Sequence, residues 1–251
     1  MTSRRTLLIA ATVFGGAWAF GPMVRNLLRP DFVFEPIAAL PGFTQRVGGD
    51  ISVAATPFSG IATSVDDTPN ANPGIKGDLY AALHDAHDVG VTALAVFTDY
   101  NCPFCRTLNE DIQRLVGRDS SVSVTWHEWP RIAPSSEPAA RAALAAKRQG
   151  AYLTFHRRLM RTRFQPNEAY LRELAAGVGI DAMRLIEDMR HPSVEAALDR
   201  ASALAAILAL PGTPAMVLGR RLVIGRVGEE ELRALIRFEK QSPSTADFPA
   251  S

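Results

Sequence analysis

The clearest hydrophobic pattern runs through "VTALAVFTD", from Val91 to Thr98, an unbroken series of apolar and β-prone residues. Such a run predicts a strand buried on both faces. Immediately after it the period changes. From Pro103 onward Leu108, Ile112, Leu115 and Val116 recur at helical spacing, and Gly117 is placed to stop the helix. "SVSVTWHEW", closed by Pro130, predicts a second strand. A long helical tract follows, from Glu137 to Leu208. Gly150, Gly179 and Pro192 divide it, and Asn167 and Asp181 are placed as N-caps. β-pattern then returns at Ala215–Leu218 and Leu222–Ile224, separated by a tight turn. The last helix, Glu229 to Lys240, has an acidic first turn and a basic end, which suits its dipole. The order is strand, helix, strand, helical block, hairpin, helix. It predicts an α/β sheet interrupted by an all-helical insertion.

Upstream the pattern weakens. Residues 25–78 read as an irregular N-terminal segment. "TPFSGIATSVDDTPNANPGIKGD" is loop-like, and "DISVAA" is a short strand candidate before it. "DLYAALHDAH" suits a short helix with Leu79, Ala82, Leu83 and Ala86 on one side. Residues 1–24 have an export pattern: Arg4 and Arg5, an apolar stretch from Thr6 to Phe20, and a small-x-small end at Ala17–Ala19. "SRRTLL" also resembles a twin-arginine signal. No Cys follows the apolar run, which excludes lipoprotein anchoring. An uncleaved anchor is the alternative, because Thr6 to Val24 approaches the length that spans a bilayer, with Arg25 and Arg29 beyond it. Either form predicts a periplasmic location, soluble after cleavage or tethered. The domains expected are 79–136 with 209–241 as one α/β body, 137–208 as the insertion, and 242–251 as a tail.

Composition adds two limits. Apolar content of 47% and charged content of 21% fit a folded globule, and a net charge of +1 gives no electrostatic case for nucleic acid.

The chemistry concentrates in "DYNCPFCRTLN", which holds the chain's two cysteines, Cys102 and Cys105. A disulfide between them would close a very short loop, so chain-entropy stabilisation is a poor reason for it. The pair falls where the buried strand turns into a helix. Unpaired amides and the positive dipole end there favour a thiolate at Cys102. Pro103 suits the first turn. Cys105, one turn deeper, is expected to be the shielded, resolving sulfur and Cys102 the exposed, exchanging one.

Strand, "CPFC" with Pro103 and Phe104 between the cysteines, helix, helical insertion, and "GTPA" before a hairpin together resemble the DsbA-like branch of the thioredoxin superfamily. The likeness runs from about Val91 to Lys240. It implies a thioredoxin-like fold with an inserted all-helical domain and protein-disulfide oxidoreductase activity. It also implies a cis Pro214 against the cysteine pair, with Thr213 offering backbone hydrogen bonds to an extended substrate. No cofactor or metal is expected. The partners implied are exported proteins with free thiols. A membrane partner of DsbB type would serve an oxidase, and one of DsbD type would serve a reductase or isomerase. Phe104 stands where the most oxidising relatives carry His, so a less extreme potential is expected.

Two other readings of the cysteines stay open. His84 and His87, on a helix face expected to be exposed, could complete a zinc set with them. A non-cycling thiol holdase is the other. His127 and His156 read as structural histidines, while Asp99 and Glu128 could serve as buried proton acceptors or take a surface or capping role.

Overall fold

The sheet has six strands, β1 (Glu35–Pro36), β2 (Thr44–Val47), β3 (Thr92–Thr98), β4 (Val122–Glu128), β5 (Ala215–Leu218) and β6 (Arg221–Ile224). Their spatial order is β1-β2-β6-β5-β3-β4. The computed structural model describes residues 32–53, 75, 78–84, 90–162 and 166–244. Phe34–Ser251 clusters as one unit; of the other, Met1–Val33, only Phe32 and Val33 are among the described residues. Residues 1–24, where an export signal or anchor is expected, therefore lie outside the described residues. Among those described, no helix is long and apolar enough to cross a membrane.

β3 is central. It pairs in parallel with β4 and antiparallel with β5, and all seven of its residues are buried. A strand covered on both faces needs no polar alternation, which is why it reads as a continuous apolar run. On one face Ala95 and Phe97 pack with Leu83, Trp129, Leu204 and Leu208. The helices there are α1 (Leu79–Leu83) and, later in the chain, α7 (Pro192–Ile207). The opposite face is covered by α2 (Pro103–Val116) and α8 (Glu229–Gln241), which touch each other.

Between β4 and α7 lie α3 (Ser136–Arg148), α4 (Tyr152–Arg161), α5 (Glu168–Gly177) and α6 (Ala182–Asp188). They enclose a second apolar cluster built on the alanines of α3 with Phe155, Leu159, Met160, Leu171 and Leu185. The Asn167 and Asp181 side chains cap α5 and α6, as their spacing predicts, and Gly150 and Gly179 take positive φ at the connections. α7 serves both clusters. Val194 and Leu198 face the helical block, whereas Leu204 and Ala205 face the sheet.

The described stretch 32–53 of the N-terminal segment is more ordered than its pattern suggests. β2 adds in parallel to β6, and β1 pairs antiparallel with β2. "TQRV" is only four residues long and not fully buried at any of them, so it lacks a strong strand signature. Past β2 the chain turns inward at Gly48 and Gly49. A side chain at Gly49 would meet the Arg226 carbonyl at 2.2 Å, so only glycine allows that approach.

Candidate active site

Cys102 is the N-cap of α2, with extended backbone (φ −81°, ψ 114°), and Pro103 occupies the first turn. Both cysteines are thiols, at 0% and 2% exposure. The Cys105 amide donates to the Cys102 Sγ at 3.1 Å, using one of the donors a helix start leaves unpaired. Phe104 is half-buried between them.

Electrostatics separate the two sulfurs. The Cys102 thiol is lowered to about 6, first because the Cys105 thiol donates a hydrogen bond to it. Burial opposes this, while the Ser52 hydroxyl and the Cys105 amide add to it. Cys105 is pushed well up, chiefly by burial and then by the neighbouring Cys102. At neutral pH the arrangement offers one thiolate beside one protonated thiol, the starting condition for exchange.

The Thr213–Pro214 peptide is cis. Thr213 is buried, and its carbonyl accepts from the Cys102 thiol at 3.4 Å. The four residues predicted at this site from "CPFC" and the two from "GTP" therefore converge. The exposure expected for Cys102 is not found. Ser52, far upstream, pairs with Thr213 in an antiparallel bridge and reaches the Cys102 sulfur, and no local pattern signals a contact between residues so distant.

The polar residues around the dithiol take positions the sequence left open. Asp99 is saturated. Its Oδ1 accepts from the Asn101 amide and the Ser136 hydroxyl, and its Oδ2 from the Arg131 and Ile132 amides, all within 2.9 Å. It ties the loop before α2 to the start of α3. Glu128 is different. Its Oε1 accepts from the Tyr100 and Tyr152 hydroxyls, each at 2.6 Å, and lies 3.2 Å from His156 Nδ1. His156 Nε2 donates to Asn109 Oδ1 at 3.0 Å. This buried network joins the active-site loop, α2, β4 and α4. The Arg106 guanidinium supports it by donating to the Tyr100 and Thr162 carbonyls.

The zinc alternative loses its geometric premise at His84. That ring is buried, not on an exposed face, and its Nε2 donates to the Gly219 carbonyl at 2.8 Å. His87 lies outside the described residues. His127 is buried with Nε2 2.8 Å from the Leu83 carbonyl. Among the described residues no group of three metal-ligating side chains converges.

Two helices on each face of a mixed sheet, with a cis-proline loop beside a dithiol at a helix start, define a protein-disulfide oxidoreductase of thioredoxin-like fold. The chain belongs to the DSBA-like thioredoxin domain family, whose model matches residues 93–237. It is similar to a thioredoxin-like oxidoreductase from Silicibacter pomeroyi, at 40% identity over 60% of this chain and 88% of the other, with a TM-score of 0.56. It is also similar to a periplasmic thioredoxin-like protein from Salmonella enterica serovar Typhimurium, at 25% identity over 65% and 97%, TM-score 0.56. The thiol-disulfide exchange protein alpha-DsbA2 from Wolbachia pipientis shares the fold at 20% identity over 71% and 98%, TM-score 0.59. No curated protein matches the chain.

Proposed function

We propose that this protein is a periplasmic oxidase that introduces disulfides into exported proteins through Cys102 and Cys105. The observation that carries the reading is the Cys102 sulfur at the start of α2, taking the Cys105 amide at 3.1 Å, with its thiol lowered to about 6 and that of Cys105 raised. A stabilised thiolate is a good leaving group and favours the reduced enzyme, so the oxidised enzyme gives up its disulfide readily. The export pattern of residues 1–24 and the periplasmic relative support the location.

In the reaction a substrate thiolate attacks the Cys102 sulfur of the Cys102–Cys105 disulfide. The bond between the two cysteines breaks, and Cys105 leaves and takes a proton. A second substrate thiolate then attacks the substrate sulfur of the mixed disulfide, and Cys102 departs as the thiolate. The substrate loses two electrons and the enzyme gains them. Thr213, whose amide and carbonyl edge the site, would hold the substrate backbone in extended form, with Pro214 fixing the loop. Reoxidation would fall to a membrane quinone-linked partner of DsbB type. A DsbD-type donor would serve only if the pair works as a reductase.

The test is stoichiometric oxidation of a reduced, unfolded disulfide protein by the pre-oxidised enzyme, followed by thiol titration. Loss of two substrate thiols per enzyme is expected, with none lost in Cys102→Ser. Equal thiol loss in that variant would overturn the assignment.

A further inference from the structure

Cys102 is fully buried, and the Thr213 edge beside it is paired with this chain's own backbone at Ser52. Ser52 donates its amide to the Thr213 carbonyl at 2.6 Å and accepts from the Thr213 amide at 3.0 Å. Together these form an antiparallel bridge. Thr213 has one amide and one carbonyl, and both pair with Ser52, the carbonyl accepting from the Cys102 Sγ as well. The approach is close enough that a side chain on Gly212 would meet the Ser52 carbonyl at 2.3 Å. The strap is anchored one step back, where the Arg226 amide donates to the Asp50 carbonyl at 2.9 Å. Its far side is open, with Val53 at 54% exposure.

The Ser52 side chain completes the likeness to a bound peptide. The Ser52 backbone pairs with Thr213, whose carbonyl the Cys102 Sγ reaches at 3.4 Å, and its hydroxyl is one of the groups that lower the Cys102 thiol. Serine differs from cysteine only in its terminal atom, so a cysteine in that backbone position would present its sulfur to Cys102. The serine hydroxyl cannot form a disulfide, so the occupant is inert.

We propose that Ile51–Val53 is an internal pseudosubstrate, filling the edge of Thr213 with serine where a substrate places its cysteine, and that extended peptides must displace it. This rests on the exchange reading above. It implies that the substrate is an extended segment with cysteine flanked by residues paired antiparallel to the Gly212–Thr213 edge. Small thiols, which need no such pairing, are held back less.

Two experiments test it on the full chain. In Ser52→Cys/Cys105→Ser treated with oxidised glutathione, Cys102 attacks the glutathione disulfide and releases one glutathione. The thiol introduced at position 52 then displaces the second and closes a disulfide to Cys102. Peptide mapping by mass spectrometry should find that bond as the main product. Glutathione retained on Cys102 would overturn the placement. Separately, Ser52→Pro lacks the amide that binds Thr213. Loss of that one hydrogen bond should raise the oxidation rate of a cysteine peptide roughly fivefold. The rate with dithiothreitol should change only as much as in Ser52→Ala, which keeps the bridge and loses the hydroxyl. An unchanged or slower peptide rate in a folded Ser52→Pro would contradict occlusion; if that variant fails to fold, the trapping result decides. A wild-type chain that oxidises no peptide thiols would instead sink the exchange reading, because trapping depends only on where Ser52 lies.

Discussion

The Cys105 amide donates to the Cys102 sulfur across 3.1 Å, and the Cys105 thiol donates to the same sulfur. One residue thus supplies two donors to its partner's thiolate, while its own burial keeps it protonated.

That relationship sets a pH profile. Alkylation of the reduced protein by iodoacetamide should follow the Cys102 thiolate, with a midpoint near the value of about 6. A midpoint near the ordinary thiol value of about 8.5 would contradict it. The same shift enters stability. The folded thiolate holds its proton less tightly than the unfolded thiol, so its contribution is complete above about 8.5 and is lost as pH falls through about 6. Between pH 6 and 8 the melting temperature of the reduced form should therefore gain on that of the oxidised form. Cys105, shifted the other way, acts only once pH rises past the ordinary thiol value.

Cys105→Ser should trap what the wild type releases. With the resolving sulfur gone, mixed disulfides between Cys102 and substrate proteins should accumulate on non-reducing gels and vanish with reductant. Normal turnover in this variant would argue against the roles assigned to the two sulfurs.

Tyr100→Phe should destabilise the fold. It removes one of the two hydroxyls that donate to the buried Oε1 of Glu128. A buried acceptor that loses a donor costs about 1–3 kcal/mol. Urea denaturation should show that loss. No change would mean the network does not hold the active-site loop to the helical block.

What the sequence made legible was local. The β3 run, the Leu108–Ile112–Leu115 spacing, the caps at Asn167 and Asp181 and the cysteine pair each announce themselves within a few residues. Three features were not local. β2 is a short strand between β1 and β6, and its pairing to β6 spans most of the chain. His84 was expected on an exposed face, but it sits at the end of a short helix and is buried against the Gly219 carbonyl. The bridge from Ser52 to Thr213 lies at the edge of the site, where Cys102 is buried although helix position alone would leave it open. The "DISVAA" segment does carry strand propensity, but nothing in it states its partner.

Phe104→His should make the pair more oxidising. Phe104 is half-buried between the cysteines and offers no hydrogen bond to a thiolate. An imidazolium there would lower Cys102 further. One unit of pKa converts to a rise on the order of 30 mV. An unchanged potential would show that the helix start and Cys105 already saturate the sulfur.

The most direct test of the account is the reduction potential of the Cys102–Cys105 pair in glutathione buffers. An oxidase working through a thiolate at about 6 should equilibrate between about −120 and −200 mV. A value near −270 mV or lower would contradict the oxidase and assign the pair to reduction, fed by a membrane donor.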